Sequence, residues 1–402
     1  MDSHAKKMAL NSKLPKIYLA IDNCFASKRW TRPGDWMRII ADMGVSHVEA
    51  SADNEIDPLY STEIYRQRWL DEVANASIRT GVNICNLYSG HGTYSTMGLT
   101  HEDGSVRDHI MDDWIKKMID IASTQEAGLG FFCHAFNSTI MQDKEKYSFH
   151  LEDLYDRLAG LAEYAAHQGL KSLGLEQMYT PHQVPWTIRG ACEMMENVFG
   201  RSGKPFYITI DVGHQSGQRK FLKPDHKLLE KLLQAVKSGN KIENCWLGID
   251  KAYELVHEAA NDPVGKQAEK INEILELADE HNYLFAEYDD GDPFNWLEAL
   301  GCYSPIIHLQ QTDGTVSDHW PFNSRFNAQG IITGNKVLDS LRNSYLQTDT
   351  GMPPKCNEIY LTIEVFSGTS EIPYDIIQKL EESVLYWRDF IPEDGLSLDK
   401  LV

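Results

Sequence analysis

The feature that most constrains this 402-residue chain is an alternation of strand-like and helix-like segments that runs from one end to the other. The strand-like runs begin at Lys16 (KIYLAIDNC), His47 (HVEAS), Val82 (VNICNLYSG) and Gly128 (GLGFFCHAF), then at Ser172 (SLGLEQM), Phe206 (FYITIDVGH), Pro305 (PIIHLQQTDG) and Ile359 (IYLTIEVFSG). Between them lie segments with apolar residues at three- and four-residue spacing, such as GDWMRIIADMG, HLEDLYDRLAGLAEYAAHQG and YDIIQKLEESVLYWRDF, the periodicity of amphipathic helices. Gly44, Gly81 and Gly169 fall just before strands, where a helix closes in the left-handed region. Eight such βα units predict an α/β fold, a parallel (β/α)8 barrel around one core. A doubly wound open sheet is the main rival, and it lacks here the Gly-rich first βα turn of its dinucleotide-binding form. The whole chain, 1–402, is therefore expected to be one barrel domain, with the barrel over about 16–392. At 42% hydrophobic residues it can supply so large a core.

One interval breaks the rhythm. From Gln215 to Ser304 about ninety residues precede the seventh strand, far more than a βα crossover needs. The stretches PDHKLLEKLLQAVKSG and KQAEKINEILELADEH make it a mainly helical insertion, about 215–303, expected to overhang the catalytic face or build a subunit contact. Glu287, in YLFAEYDDGD, looks strand-borne but belongs to this insertion, as a structural or lid residue.

Composition narrows the partners. A net charge of −21 disfavours a nucleic-acid backbone. The seven cysteines are scattered with no CxxC spacing, which predicts reduced thiols rather than a disulfide framework or zinc ribbon. The opening MDSHAKKMALNSKLPK has no signal-like apolar run, and no segment approaches a membrane span. A cytoplasmic enzyme or binding protein is expected, with no membrane or nucleic-acid partner.

In a parallel barrel the chemistry sits at the C-terminal strand ends. Those ends carry Asp22, Glu49, His91 (in the loop after the third strand), His134, Glu176, Asp211 with His214, His308 and Glu364. The last four strands each give one candidate ligand: Glu176, Asp211, His308 and Glu364. Each alone could be half of a structural ion pair. Together they converge on one axis, and three buried carboxylates without a cation would cost several kcal/mol. The mixed oxygen and nitrogen set suits Mn²⁺, Co²⁺, Mg²⁺ or Fe²⁺ better than a thiolate-seeking ion, and Zn²⁺ is also compatible. His214, past the turn after Asp211, is placed to donate to a substrate hydroxyl; His91 and His134 are weaker substrate-binding candidates, since either could simply bond a neighbouring loop.

The ordered set Glu176, Asp211-x-x-His214, His308, Glu364 resembles the xylose isomerase-like TIM barrels, in particular their sugar and sugar-phosphate isomerase/epimerase branch, which includes ketose 3-epimerases. The resemblance covers about Lys16 to Phe390. It implies one divalent metal, commonly Mn²⁺, on those four residues, and substrate binding by His214. It also implies Glu176 and Glu364 as the acid–base pair acting through a metal-stabilised enediolate. The stretches EQMYTPHQVPWTI and HLQQTDGTVSDHWPF resemble the branch acting on short ketose phosphates such as erythrulose phosphate, and make Asp313 and His319 substrate-binding candidates. Where 3-epimerases often carry an arginine after the strand-seven histidine, this chain has TDGTVSDH. The expected substrate is a tetrulose or pentulose, phosphorylated by preference, with Lys251 or Arg325 as phosphate partners. A homo-oligomer, dimer or tetramer, is expected. The rivals are a C-glycoside-cleaving lyase-type subunit on the same metal site, a metal-dependent hydrolase of the superfamily, and a sugar-binding protein without activity.

Overall fold

The computed structural model describes residues 14–90, 96–347 and 350–401. Each strand-like run forms a strand: β1 (Lys16–Asp22), β2 (His47–Ser51), β3 (Asn83–Ser89), β4 (Gly128–Phe131), β5 (Leu173–Glu176), β6 (Tyr207–Asp211), β7 (Ile306–Leu309) and β8 (Glu358–Ile363). They pair in parallel in the order β2-β3-β4-β5-β6-β7-β8-β1. The register Ile21↔Val48 and Asp22↔Glu49 joins β1 to β2, so the sheet closes into a barrel. A short β9 (Leu396–Ser397) runs antiparallel against the start of β1 and covers an edge that β2 does not reach.

Helices form the outer layer. The first is α1 (Pro33–Asp42), followed by α2 (Glu63–Thr80), α3 (Lys116–Thr124), α4 (Lys144–Gln168) and α5 (Ile188–Ser202). The helices α2 and α4 end on Gly81 (φ 75°) and Gly169 (φ 74°), whose N–H groups bond back into the last turn. Side chains with a β-carbon are strained at such a φ, so the glycines fix where helix gives way to strand. Trp36, Trp114, Trp296 and Trp387 are fully buried in the main apolar core. All seven cysteines are free thiols. Among the described residues no helix is long and apolar enough to cross a membrane.

The interval after β6 contains α6 (His226–Lys237), α7 (Asp250–Asn261) and α8 (Val264–Glu280). These three helices share a core of their own, built on Leu229, Leu233, Leu255, Val256 and Ile274. The next helix, α9 (Pro293–Leu300), puts Trp296, Leu297 and Leu300 into the barrel's core instead. The added unit therefore ends earlier than the expected boundary near 303, because α9 is the barrel's own sixth helix. Glu287 caps the turn Tyr288–Gly291 in a reciprocal pair with Asp290, a structural role. The outer layer is completed by α10 (Gly334–Ser344) and α11 (Pro373–Arg388).

Candidate metal and substrate site

Barrel register places the candidate ligands side by side. Glu176 and Asp211 are the last residues of β5 and β6, His308 is Asp211's direct partner across β6 and β7, and Glu364 follows β8. The Glu364 N–H donates to the Leu309 carbonyl at 3.0 Å, which ties that end of β8 to β7. All four side chains are buried, and a ligand atom from each lies within 4.8 Å of the others. Donors about 2.2 Å from one ion can be no more than about 4.4 Å apart, so small side-chain shifts would seat a cation among them.

Two further observations fit a metal. Glu364 Oε2 is buried without a hydrogen-bond partner, although His308 Nδ1 lies 3.3 Å away. His308 Nδ1 also lies 2.9 Å from Glu176 Oε1, while Nε2 lies 2.8 Å from Glu49 Oε2. Glu49 is held in turn by Asn86 Nδ2, donating at 2.6 Å. With a cation bound, an Nε2–H donated to Glu49 would leave Nδ1 to ligate it, the arrangement in which an outer carboxylate orients a metal-binding imidazole.

The electrostatics follow from this crowding. Burial by itself lowers the His308 pKa, but Glu364 and Glu49 push it well above the usual histidine range. Burial would raise Glu176 and Asp211; the His308 contact holds Glu176 low, and His214 together with His319 hold Asp211 low. Glu364 is raised, mainly by burial. Burial and then the Glu49 carboxylate push Asp22 up strongly, while it accepts from Cys24 N–H and the Ser51 hydroxyl.

Other side chains fix the ligands. The Tyr88 hydroxyl donates to Glu176 Oε2, and a β-carbon at Gly130 would stand 3.1 Å from the Tyr88 ring, so the glycine leaves the ring its room. Gln310 Nε2 donates to both oxygens of Asp211 at 2.8 and 2.9 Å, and Gln310 Oε1 accepts the His319 N–H at 2.8 Å. His214 Nδ1 donates to the Gln177 carbonyl at 2.7 Å, leaving Nε2 3.4 Å from Asp211 Oδ2. The His319 ring stacks on Phe366 at 3.9 Å with Nδ1 3.4 Å from Glu364 Oε2. Burial would lower His319, but Glu364, then Asp211 and Glu176, carry it to about 9.

A cavity of about 430 Å³ opens above this cluster, lined by Glu176, Glu364, His214, His319, Tyr88 and Lys220 among others. That size suits a small polar ligand. Phe132, Met178, Val316 and Phe366 add apolar wall.

Of the substrate-binding candidates, His214 and His319 line this cavity. His134 is not among the described lining residues; it is buried, with its ring against Phe132 and Trp114. Asp313 turns away to accept from the N–H and hydroxyl of Thr315, so it shapes the loop rather than facing the cavity. His91 lies outside the described residues. Lys251 pairs with Glu254 and Glu258 on α7, and Arg325 lies over Phe326, so neither reaches the cavity; the lysine that does is Lys220. Tyr88, Gln310 and Lys220 were missed from sequence. Tyr88 sits one residue before the end of β3 and Gln310 two residues after His308, and inspecting uncharged polar residues near strand ends would have found both.

Known proteins resemble this chain in two ways. The sequence model of the xylose isomerase-like TIM barrel family matches residues 37–242. A D-erythrulose 1-phosphate 3-epimerase of Brucella abortus (strain 2308) is 31% identical over 106 residues, which span 26% of this chain and 31% of that relative. Among solved structures, a candidate xylose isomerase from Rhodospirillum rubrum ATCC 11170 superposes with a TM-score of 0.64 at 18% identity, covering 92% of this chain and 98% of that one. A D-psicose 3-epimerase solved with D-fructose gives 0.51 at 13% identity, with 94% and 99% covered. At these identities the structural likeness is one of fold.

Proposed function

Because this chain belongs to the xylose isomerase-like TIM barrel family, we propose that it is a divalent-metal-dependent epimerase of short ketoses, moving a proton at the carbon next to the ketose carbonyl. The observation that carries this reading is that two of the four clustered ligand residues, Glu176 and Glu364, also line the cavity above the cluster. Proton abstraction beside a carbonyl needs an electrophile on the oxygen and a carboxylate near the carbon. The partial match to the Brucella abortus epimerase supports the same reaction class.

Glu176, Asp211, His308 and Glu364 would hold the cation, with Mn²⁺ the preferred ion. When bound, it would act as a Lewis acid on the ketose oxygens. The chain's own groups account for the rest. Glu176, fixed by Tyr88 and His308, is placed to take the proton from one face of the sugar. Glu364, whose Oε2 lies beside the His308 and His319 rings and which lines the cavity, would return one on the other face, and inversion follows. His319 and His214, which line the cavity, are available to bind sugar hydroxyls and fix the carbon between the two carboxylates. The apolar walls from Phe132, Met178, Val316 and Phe366 limit water around the exposed carbanion.

Metal analysis of the purified protein, followed by a panel of ketoses and ketose phosphates in D₂O, tests this. We expect one divalent ion per chain and deuterium at the epimerised carbon. Deuterium at the neighbouring carbon, with an aldose as product, would replace epimerase by aldose–ketose isomerase. Absence of exchange in any ketose with the metal in place would remove the reading.

A further inference from the structure

Next to the catalytic cavity lies a second one, of about 610 Å³, and Lys220 lines both. The second cavity is walled by Arg219, Lys231 and Lys241 as well as Lys220, with Glu243 its acidic lining residue. This bias runs against the chain as a whole, in which 59 acidic residues outnumber 38 lysines and arginines.

The state of these cations matters more than their number. Three other lysines of this stretch are neutralised locally, Lys223 by Asp279, Lys251 by Glu254 and Glu258, and Lys270 by Glu258 and Glu273, whereas Lys227, Lys237 and Lys266, like the cavity lysines, have no ion pair among the described residues but do not line this cavity. Among the described residues, Lys220, Lys231 and Lys241 take part in no ion pair. Arg219 is held in place, its guanidinium donating to the Gly291 carbonyl at 2.8 Å and the Gly314 carbonyl at 3.0 Å. Those bonds are to neutral groups, so its charge stays uncompensated at the cavity wall. They also tie the loop carrying Thr315 to His319 to the turn Tyr288–Gly291. The remaining lining includes Leu222, Leu232 and Trp246, a low-dielectric wall that strengthens attraction for an anion.

We propose that Lys220, Lys231 and Lys241 form an anion-binding subsite that takes the phosphate of a phosphorylated ketose while the sugar carbonyl sits at the ligand cluster. Lysine ammoniums suit such a subsite because they are point charges on flexible stems that can close on a tetrahedral dianion from several sides. The added unit thereby becomes a specificity element. Lys220 follows the short helical turn Gln215–Gln218 after β6 and has the catalytic cavity on one side, while Lys231 on α6 and Lys241 after it come from the unit itself. The choice of a ketose rests on the function proposed above; the affinity for phosphate does not.

Two measurements on the metal-loaded full chain separate these. Inorganic phosphate, titrated and followed by ³¹P NMR, should bind the wild type and bind Lys220→Ala, or a Lys231→Ala/Lys241→Ala double variant, at least ten-fold more weakly, with Lys220→Arg restoring most of the loss. The ratio of kcat/KM for a phosphorylated ketose to that for its unphosphorylated form should also fall at least ten-fold in the alanine variants. Equal phosphate binding by wild type and alanine variants, or an unchanged ratio, overturns the proposal. If the wild type exchanges no ketose at all, the epimerase reading fails, and the phosphate titration alone decides the subsite.

Discussion

At the residue scale the site depends on an imidazole with a different role for each nitrogen. His308 presents Nδ1 to Glu176 and Glu364 and Nε2 to Glu49. His308→Ala should therefore lose bound metal and activity while circular dichroism stays that of the wild type; full metal occupancy in this variant would contradict the ligand assignment. Glu49→Gln keeps the packing but weakens the outer carboxylate, and metal affinity should fall by about 10–100-fold, measured by competition with a chelator. An unchanged affinity would reduce Glu49 to a packing residue. The four clustered residues proposed as ligands were legible in the sequence because an ionisable group ending an apolar strand is costly unless partnered. Glu49 was visible as a strand-end acid, but its role was not, since that depends on which face of the His308 ring it meets. His134 also follows a strand, and there a left-handed φ of 67° sets its ring against Phe132 and Trp114.

At the element scale the strands and their order could be read because a parallel barrel strand is short, apolar and bounded by helix caps. The closure of the barrel could not be, since it depends on distant groups. Asp394, near the C-terminus, accepts from the Leu19 N–H of β1 at 2.9 Å, from the Ser46 hydroxyl at 3.1 Å, and from Arg388 of α11 at 2.9 and 3.2 Å. Burial opposes ionisation, but His47, Arg388 and the Leu19 N–H hold the carboxyl far below its usual range. A folded-state value below the unfolded one stabilises the protein fully above the ordinary aspartate pKa of about 3.9, and the effect disappears as pH falls further. Asp394→Asn should cost about 1–3 kcal/mol at pH 7 in urea denaturation, and the gap to wild type should narrow between pH 4 and pH 2. A gap independent of pH would mean that packing rather than charge makes the difference.

At the scale of the whole molecule a barrel with one core carries a second, smaller core in α6, α7 and α8. The sequence showed the excess length and its amphipathic helices. It did not show where the added unit ends, because the apolar spacing of α9 is equally compatible with either core. Leu255 is fully buried in the small core, so Leu255→Ala should cost about 2–5 kcal/mol, felt within that unit. Hydrogen exchange should quicken across residues 226–280 and leave β5 to β8 unaffected; equal loosening of those strands would show the two cores to be one cooperative body. The central claim remains that the groups gathering a cation also move the proton. Its most direct measurement is solvent deuterium uptake into the ketose by metal-loaded Glu176→Gln, which retains an oxygen donor but no base. Full metal occupancy is expected with exchange slowed by about 10²–10⁴-fold, and exchange at the wild-type rate with the metal retained would contradict proton transfer by Glu176.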